Sequence, residues 1–181
     1  MKPVSFDQGS IQSRVTVENK YDFKVAVKDA HQYSHFQIDA SELNNDVHIA
    51  LSEFSGHSDP KWEIVIGGWS GGMSALCRKT PDGSVDILHK PHSKEVFDAM
   101  KSSIEVIVTD GKLTVKGNGE VFFEHEDSSI RKDELKYMLL SGGWGGHGTY
   151  KIYSFPAGKS RSYNFSSISL FSYHYQCDRS R

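Results

Sequence analysis

One peptide occurs twice in this chain, and both copies demand the same local structure. Lys61-Trp62-Glu63-Ile64-Val65-Ile66-Gly67-Gly68-Trp69-Ser70-Gly71-Gly72-Met73-Ser74 returns as Lys136-Tyr137-Met138-Leu139-Leu140-Ser141-Gly142-Gly143-Trp144-Gly145-Gly146-His147-Gly148-Thr149. The offset is 75 residues, without a gap. In each copy an aromatic and aliphatic run meets Gly-Gly-Trp, then a second glycine-bearing stretch, then β-prone residues. Such runs favour strands, and glycine permits the positive φ and close backbone approach of a tight bend. A Trp bracketed by glycines has little beside it to shield its ring. Either the ring faces a ligand, or it turns inward as the corner of a sandwich core. The sequence leaves both readings open.

The rest of the chain keeps the period of two that strands require. Alternation is clear in Arg14–Glu18, Phe23–Lys28 and His35–Asp39, and Val47–Ser52 and Trp62–Ile66 add two more runs. Met73–Arg78 and Ser84–Leu88 are joined by Pro81-Asp82-Gly83, a strong turn signal. Ile104–Thr109 and Lys112–Lys116 flank Asp110-Gly111 and read as a hairpin with a type I′ turn. Val121–Glu124, Lys136–Leu140 and Thr149–Phe155 come next, and only Lys94–Lys101 and Arg131–Leu135 suit a helical turn or two. The expectation is an all-β fold, an antiparallel β-sandwich or jelly roll carrying an internal Gly-Gly-Trp repeat. Residues 1–181 read as a single domain with a Ser- and aromatic-rich extension over 156–181. That extension is expected to add an edge strand or oligomer contacts.

Composition narrows the function classes. A net charge of -2 with 24% charged residues lacks the basic footprint of a nucleic-acid binder. Apolar runs are only a few residues long, so no membrane insertion is expected. The N-terminus carries no apolar signal core, which reads as a cytoplasmic or non-classically secreted chain. Cys77 and Cys177 do not make a disulfide framework. Cys77 reads as a buried thiol, and Cys177 as a thiol open to an intermolecular bridge.

Several motifs fail their physical tests. Gly143-Trp144-Gly145-Gly146-His147-Gly148 matches Gly-x-Gly-x-x-Gly, but a strand pattern comes after it, not the helix whose N-terminus would hold phosphates. The nine histidines include His31 and His35, expected on one strand face, and the close pair His89 and His92. No His-Glu-x-x-His or Cys-x-x-Cys accompanies them, so no metal is expected. Asn44-Asn45-Asp46 precedes a strand and reads first as an Asx-type turn. Its alternative is a cluster of oxygens able to bind sugar hydroxyls or calcium. No Gly-x-Ser-x-Gly supports a nucleophile.

Asp46-Val47-His48-Ile49-Ala50-Leu51-Ser52, then Trp62-Glu63-Ile64-Val65-Ile66-Gly67-Gly68-Trp69, then Gly142-Gly143-Trp144-Gly145 resemble the farnesoic acid O-methyltransferase-like domain of many invertebrate proteins. The family pattern runs Asp-Ala-His-Ile-Ala-Leu-Ser, Tyr-Glu-Ile-Val-Ile-Gly-Gly-Trp and a late Gly-Trp-Gly, and the resemblance spans residues 21–155. Val47 replaces an Ala, and Ser70-Gly71-Gly72 and Gly146-His147-Gly148 depart from the family's turns. The family name implies methyl transfer from S-adenosylmethionine to a sesquiterpenoid acid. The residues offer that chemistry no cofactor loop and lean away from an enzyme.

The first reading is therefore a carbohydrate-binding, lectin-like module. Its expected sugar contacts are Trp69, Trp144, His147, Asp46, His48 and Arg78, with no catalytic residue and no cofactor. Glycans are the expected partners, with a homodimer supplying avidity. A methyltransferase-type enzyme ranks second, and a protein-interaction domain without a small ligand ranks third.

Overall fold

The computed structural model describes residues 11–18, 23–55, 61–80, 82–143 and 146–156. Twelve strands succeed one another along the described residues. They are β1 (Ile11–Val17), β2 (Lys24–Lys28), β3 (Tyr33–Asp39), β4 (Val47–Ser52), β5 (Trp62–Gly67) and β6 (Met73–Thr80). The second half supplies β7 (Gly83–Pro91), β8 (Ile104–Thr109), β9 (Lys112–Gly117), β10 (Glu120–Glu126), β11 (Tyr137–Gly142) and β12 (Gly148–Pro156). Two six-stranded sheets result, ordered β1-β12-β3-β8-β9-β10 and β2-β11-β4-β5-β6-β7. Every pairing within them is antiparallel. The sandwich expected from the alternation is the fold observed.

Alternation explains the core. Val47, Ile49 and Leu51 of β4 and Trp62, Ile64 and Ile66 of β5 point between the sheets. They meet Phe36, Ile38, Val106, Leu113, Tyr150 and Ile152 of the opposite sheet. The intervening residues, His48 and Ala50 on β4 with Glu63 and Val65 on β5, stand on the other face of their sheet. Tyr150 bolts the layers together, because its phenol donates to the Ser141 carbonyl on β11. Burial pushes that phenol far above its usual range.

Helix is confined to short pieces. Lys94–Met100 is capped by Ser93, whose hydroxyl accepts the Val96 N–H at 3.3 Å. Lys132–Glu134 forms a single 3-10 turn. The Asp110-Gly111 hairpin forms, but positive φ occurs only at Gly111, so it is not the type I′ turn expected. The next two-residue turn, Asn118-Gly119, has positive φ at both positions and meets the type I′ requirement. His31 lies on a 3-10 turn before β3, so it does not share a strand face with His35. Among the described residues, no helix is long and apolar enough to cross a membrane.

Candidate functional site

Strand pairing brings the two copies of the repeat together. β5 and β11 both run antiparallel to β4, one on each side of it. They are therefore parallel to each other and end at the same edge of the sheet. Val47 pairs with Ile66 on one side and Gly142 on the other. The residue before Val47 is Asp46, so its carboxylate stands between the two Gly-Gly bends. The bends are equivalent in place, but the chain leaves them in different directions. β6 returns in the same sheet, whereas β12 crosses to the other.

Asp46 is the hub of this edge. It is 4% exposed. Its Oδ1 accepts the Gly143 N–H at 2.9 Å, and its Oδ2 lies 3.2 Å from His48 Nε2. A side chain at position 143 would bring a Cβ within 2.4 Å of the carboxylate, so only glycine allows this approach. The other ring nitrogen of His48, Nδ1, lies 2.9 Å from Glu63 Oε1. Neutral imidazole has one N–H and could satisfy one carboxylate only. Burial favours the neutral ring, but the hydrogen bonds and charges of Asp46 and Glu63 outweigh it and raise the His48 pKa to about 9. At neutral pH His48 is therefore a cation clasped by two carboxylates.

The first bend holds Trp69 outward. Gly67 has φ +75°, and a Cβ there would lie 2.3 Å from the Phe97 ring. Trp69 and Ser70 come next with φ of 53° and 62°, left-handed values that strain any residue bearing a side chain. Ser74 secures the turn, accepting the Gly67 N–H at 3.1 Å while its hydroxyl meets His92 Nε2 at 2.7 Å. Trp69 remains 61% exposed, with an edge contact to His89 at 5.9 Å between ring centroids. Strain of this kind concentrates at functional sites.

A groove of about 640 Å³ opens beside this ring. Asn45, Asp46, His48, Glu63, Val65, Gly68, Trp69 and Ser70 line it. It runs from the Trp69 bend down the outer face of β5 to Glu63. A cavity of about 10 Å³ beneath Tyr33 and Leu135 lies in the interior and is too small for a ligand.

The expected site residues separate accordingly. Asp46, His48 and Trp69 converge on the groove. His147 sits at the same sheet edge, where Asn44 Oδ1 accepts its N–H at 2.8 Å and the Asn44 amide meets its ring at 3.0 Å. Trp144 and Cys177 lie outside the described residues. Arg78 is a correction: it pairs with Trp62 at the far end of β5, and its guanidinium is held by Asp127 at 2.9 Å and lies over the Trp62 ring. Ser74 is fully buried and cannot face a ligand, and Cys77, expected as a buried thiol, is half-buried. Glu63, Asn45 and Ser70 complete the wall. Glu63 is legible in the sequence as the outward position of β5, but its meeting with His48 requires the β4–β5 register.

The fold is shared with the galectin LEC-6 of Caenorhabditis elegans, at 11% identity and a TM-score of 0.50, over 78% of this chain and 96% of that one. Sheep galectin-11 in complex with glycerol aligns at 8% identity with a TM-score of 0.47, over 81% and 99%. LamAcat of Zobellia galactanivorans aligns at 12% identity with a TM-score of 0.45, over 82% and 78%. At these identities the likeness concerns the fold alone. No curated protein sequence matches the chain. The sequence profile described as farnesoic acid O-methyltransferase matches residues 16–155, which include β4, both Gly-Gly-Trp bends and the Asp46 hub. The chain belongs to the farnesoic acid O-methyltransferase family.

Proposed function

We propose that this protein is a carbohydrate-binding, lectin-like module whose sugar site is the groove between Trp69 and Glu63. The observation that carries the reading is the exposed Trp69 ring, held outward by a strained left-handed turn above a polar groove. A sugar has apolar C–H faces and a rim of hydroxyls. The indole receives the face, and Asn45, Glu63 and Ser70 offer oxygens and an amide to the rim. Polar groups that a wrong stereoisomer leaves unpaired cost about 1–3 kcal/mol each, which is how such a wall selects among sugars. The galectin that shares the fold supports the scaffold and nothing finer.

Asp46 and His48 act mainly beneath the surface, setting the position of Glu63 and the second bend. His147 extends the site along the same edge, and Arg78 has no part in it. Binding needs no metal, and a homodimer supplies avidity to a shallow site. The test is a glycan array probed with wild type and folded Trp69→Ala, with and without a chelator. Wild-type signal that Trp69→Ala loses supports the reading, and absence of any glycan signal refutes it. The methyl-transfer reading carried by the family name gains support if calorimetry detects saturable S-adenosylmethionine binding.

A further inference from the structure

The charge of the groove narrows what it can accept. Among the described residues, the titratable side chains on its wall are Asp46, His48 and Glu63, and neither lysine nor arginine lines it. Two carboxylates face one imidazole, so the wall is net negative whether or not the ring is protonated. Two cations flanking this part of the sheet are already committed. Lys94, packed against the first bend at Gly71, is paired with Asp98 at 2.7 Å. Arg78 is paired with Asp127 at the far end of β5.

One carboxylate oxygen on the wall is left for a ligand. Glu63 Oε1 is engaged by His48, while Oε2 has no partner among the described residues. The Glu63 side chain is 14% exposed, so water is partly excluded and its charge is felt strongly. At the other end Trp69 presents an aromatic ring, whose face attracts cations. Gly67 is four steps along the strand from Glu63, about 13 Å at the rise of a strand. Both ends of the groove therefore suit a cation-bearing ligand longer than one sugar ring.

Resting on the lectin reading, we propose that the groove selects short amine-bearing glycans, oligomers of unacetylated hexosamine, with Glu63 as the residue that sets this specificity. An ammonium group pairs with Glu63 Oε2 through a charge-assisted hydrogen bond while a sugar face lies against Trp69. Acidic glycans, bearing uronate or sulfate, meet the net negative charge of the wall and are disfavoured by like charge. N-acetylation removes the charge that Glu63 recognises and adds bulk at the same atom.

The test titrates the full chain with three trimers near pH 6: β-1,4-linked glucosamine, its fully N-acetylated counterpart and a galacturonate. The amine trimer is expected to bind at least about tenfold more tightly than the acetylated one, with glucosamine monomer weaker than the trimer. The galacturonate trimer is expected to show no binding. Glu63→Gln, checked by thermal melting, should erase the amine preference. If that variant does not fold, the salt dependence of wild type decides, because a charge-based preference shrinks as salt rises. Equal affinity for amine and acetylated trimers, or a preference indifferent to salt, overturns the charge reading and leaves the lectin reading standing. Failure of all three trimers, with binding to other glycans on an array, overturns the amine class alone. Failure of every glycan overturns both.

Discussion

The clasped His48 makes stability depend on pH in a defined window. Its pKa rises from an ordinary 6.5 to about 9 in the fold, because Asp46 and Glu63 hold the cation against the opposing effect of burial. A histidine whose folded pKa is raised binds its proton more tightly when folded. Its contribution is complete below about pH 6.5 and is lost as pH climbs through about 9. At about 1.4 kcal/mol per pKa unit the contribution is roughly 3 kcal/mol, or about 6–12 °C in Tm for a chain of this length. The assay is thermal unfolding between about pH 6 and 9.5 of wild type beside His48→Gln. The neighbouring titrations fall elsewhere. His35 is lowered, chiefly by burial, so its effect lies at and below the ordinary histidine range. Tyr150 adds its own loss only as free tyrosine begins to ionise, near pH 10. Wild type should lose most of its advantage over His48→Gln across the window. A constant difference between the two, or an NMR titration placing His48 near 6.5, would refute the clasp.

The same edge and its supports make further outcomes specific. Gly143→Ala should cost about 2–4 kcal/mol in denaturant unfolding, because its Cβ displaces the Asp46 carboxylate and breaks a hydrogen bond to a charged acceptor. Trp69→Gly should abolish glycan binding without lowering stability, since relief of a left-handed conformation worth about 1–2 kcal/mol offsets the little burial lost. Arg78→Ala should leave glycan affinity unchanged while lowering the melting temperature, the outcome expected of a residue held by Asp127 away from the groove. Ser93→Ala should cost about 1 kcal/mol through loss of the helix cap under the Trp69 bend.

The twelve strands of the described residues are legible as alternating runs where one face is buried, as in β3 and β8, and as short apolar runs where both faces are, as in β4 and β5. The short helix at Lys94–Met100 is legible too. Turn chemistry is harder to read. Asp110-Gly111 carries the type I′ signal without that backbone, while Asn118-Gly119 has the backbone and is inconspicuous inside a run of short strands. The twin bends are visible in the sequence, but their adjacency is not. It depends on β4 inserting between β5 and β11, a long-range pairing that no local pattern encodes. The same pairing explains Glu63, an ordinary outward residue until His48 is placed beside it. Arg78 misleads because closeness in sequence to Trp69 says nothing of direction along a hairpin: β6 carries it back to the far end of β5.

The most direct measurement is an NMR titration that tracks the indole N–H resonances during addition of a glycan the protein binds. Trp69→Phe identifies the Trp69 signal, and Trp62, buried in the core, serves as the internal control. The account predicts a saturable shift of the Trp69 resonance while that of Trp62 stays in place. Binding that leaves the Trp69 resonance unmoved would contradict the site.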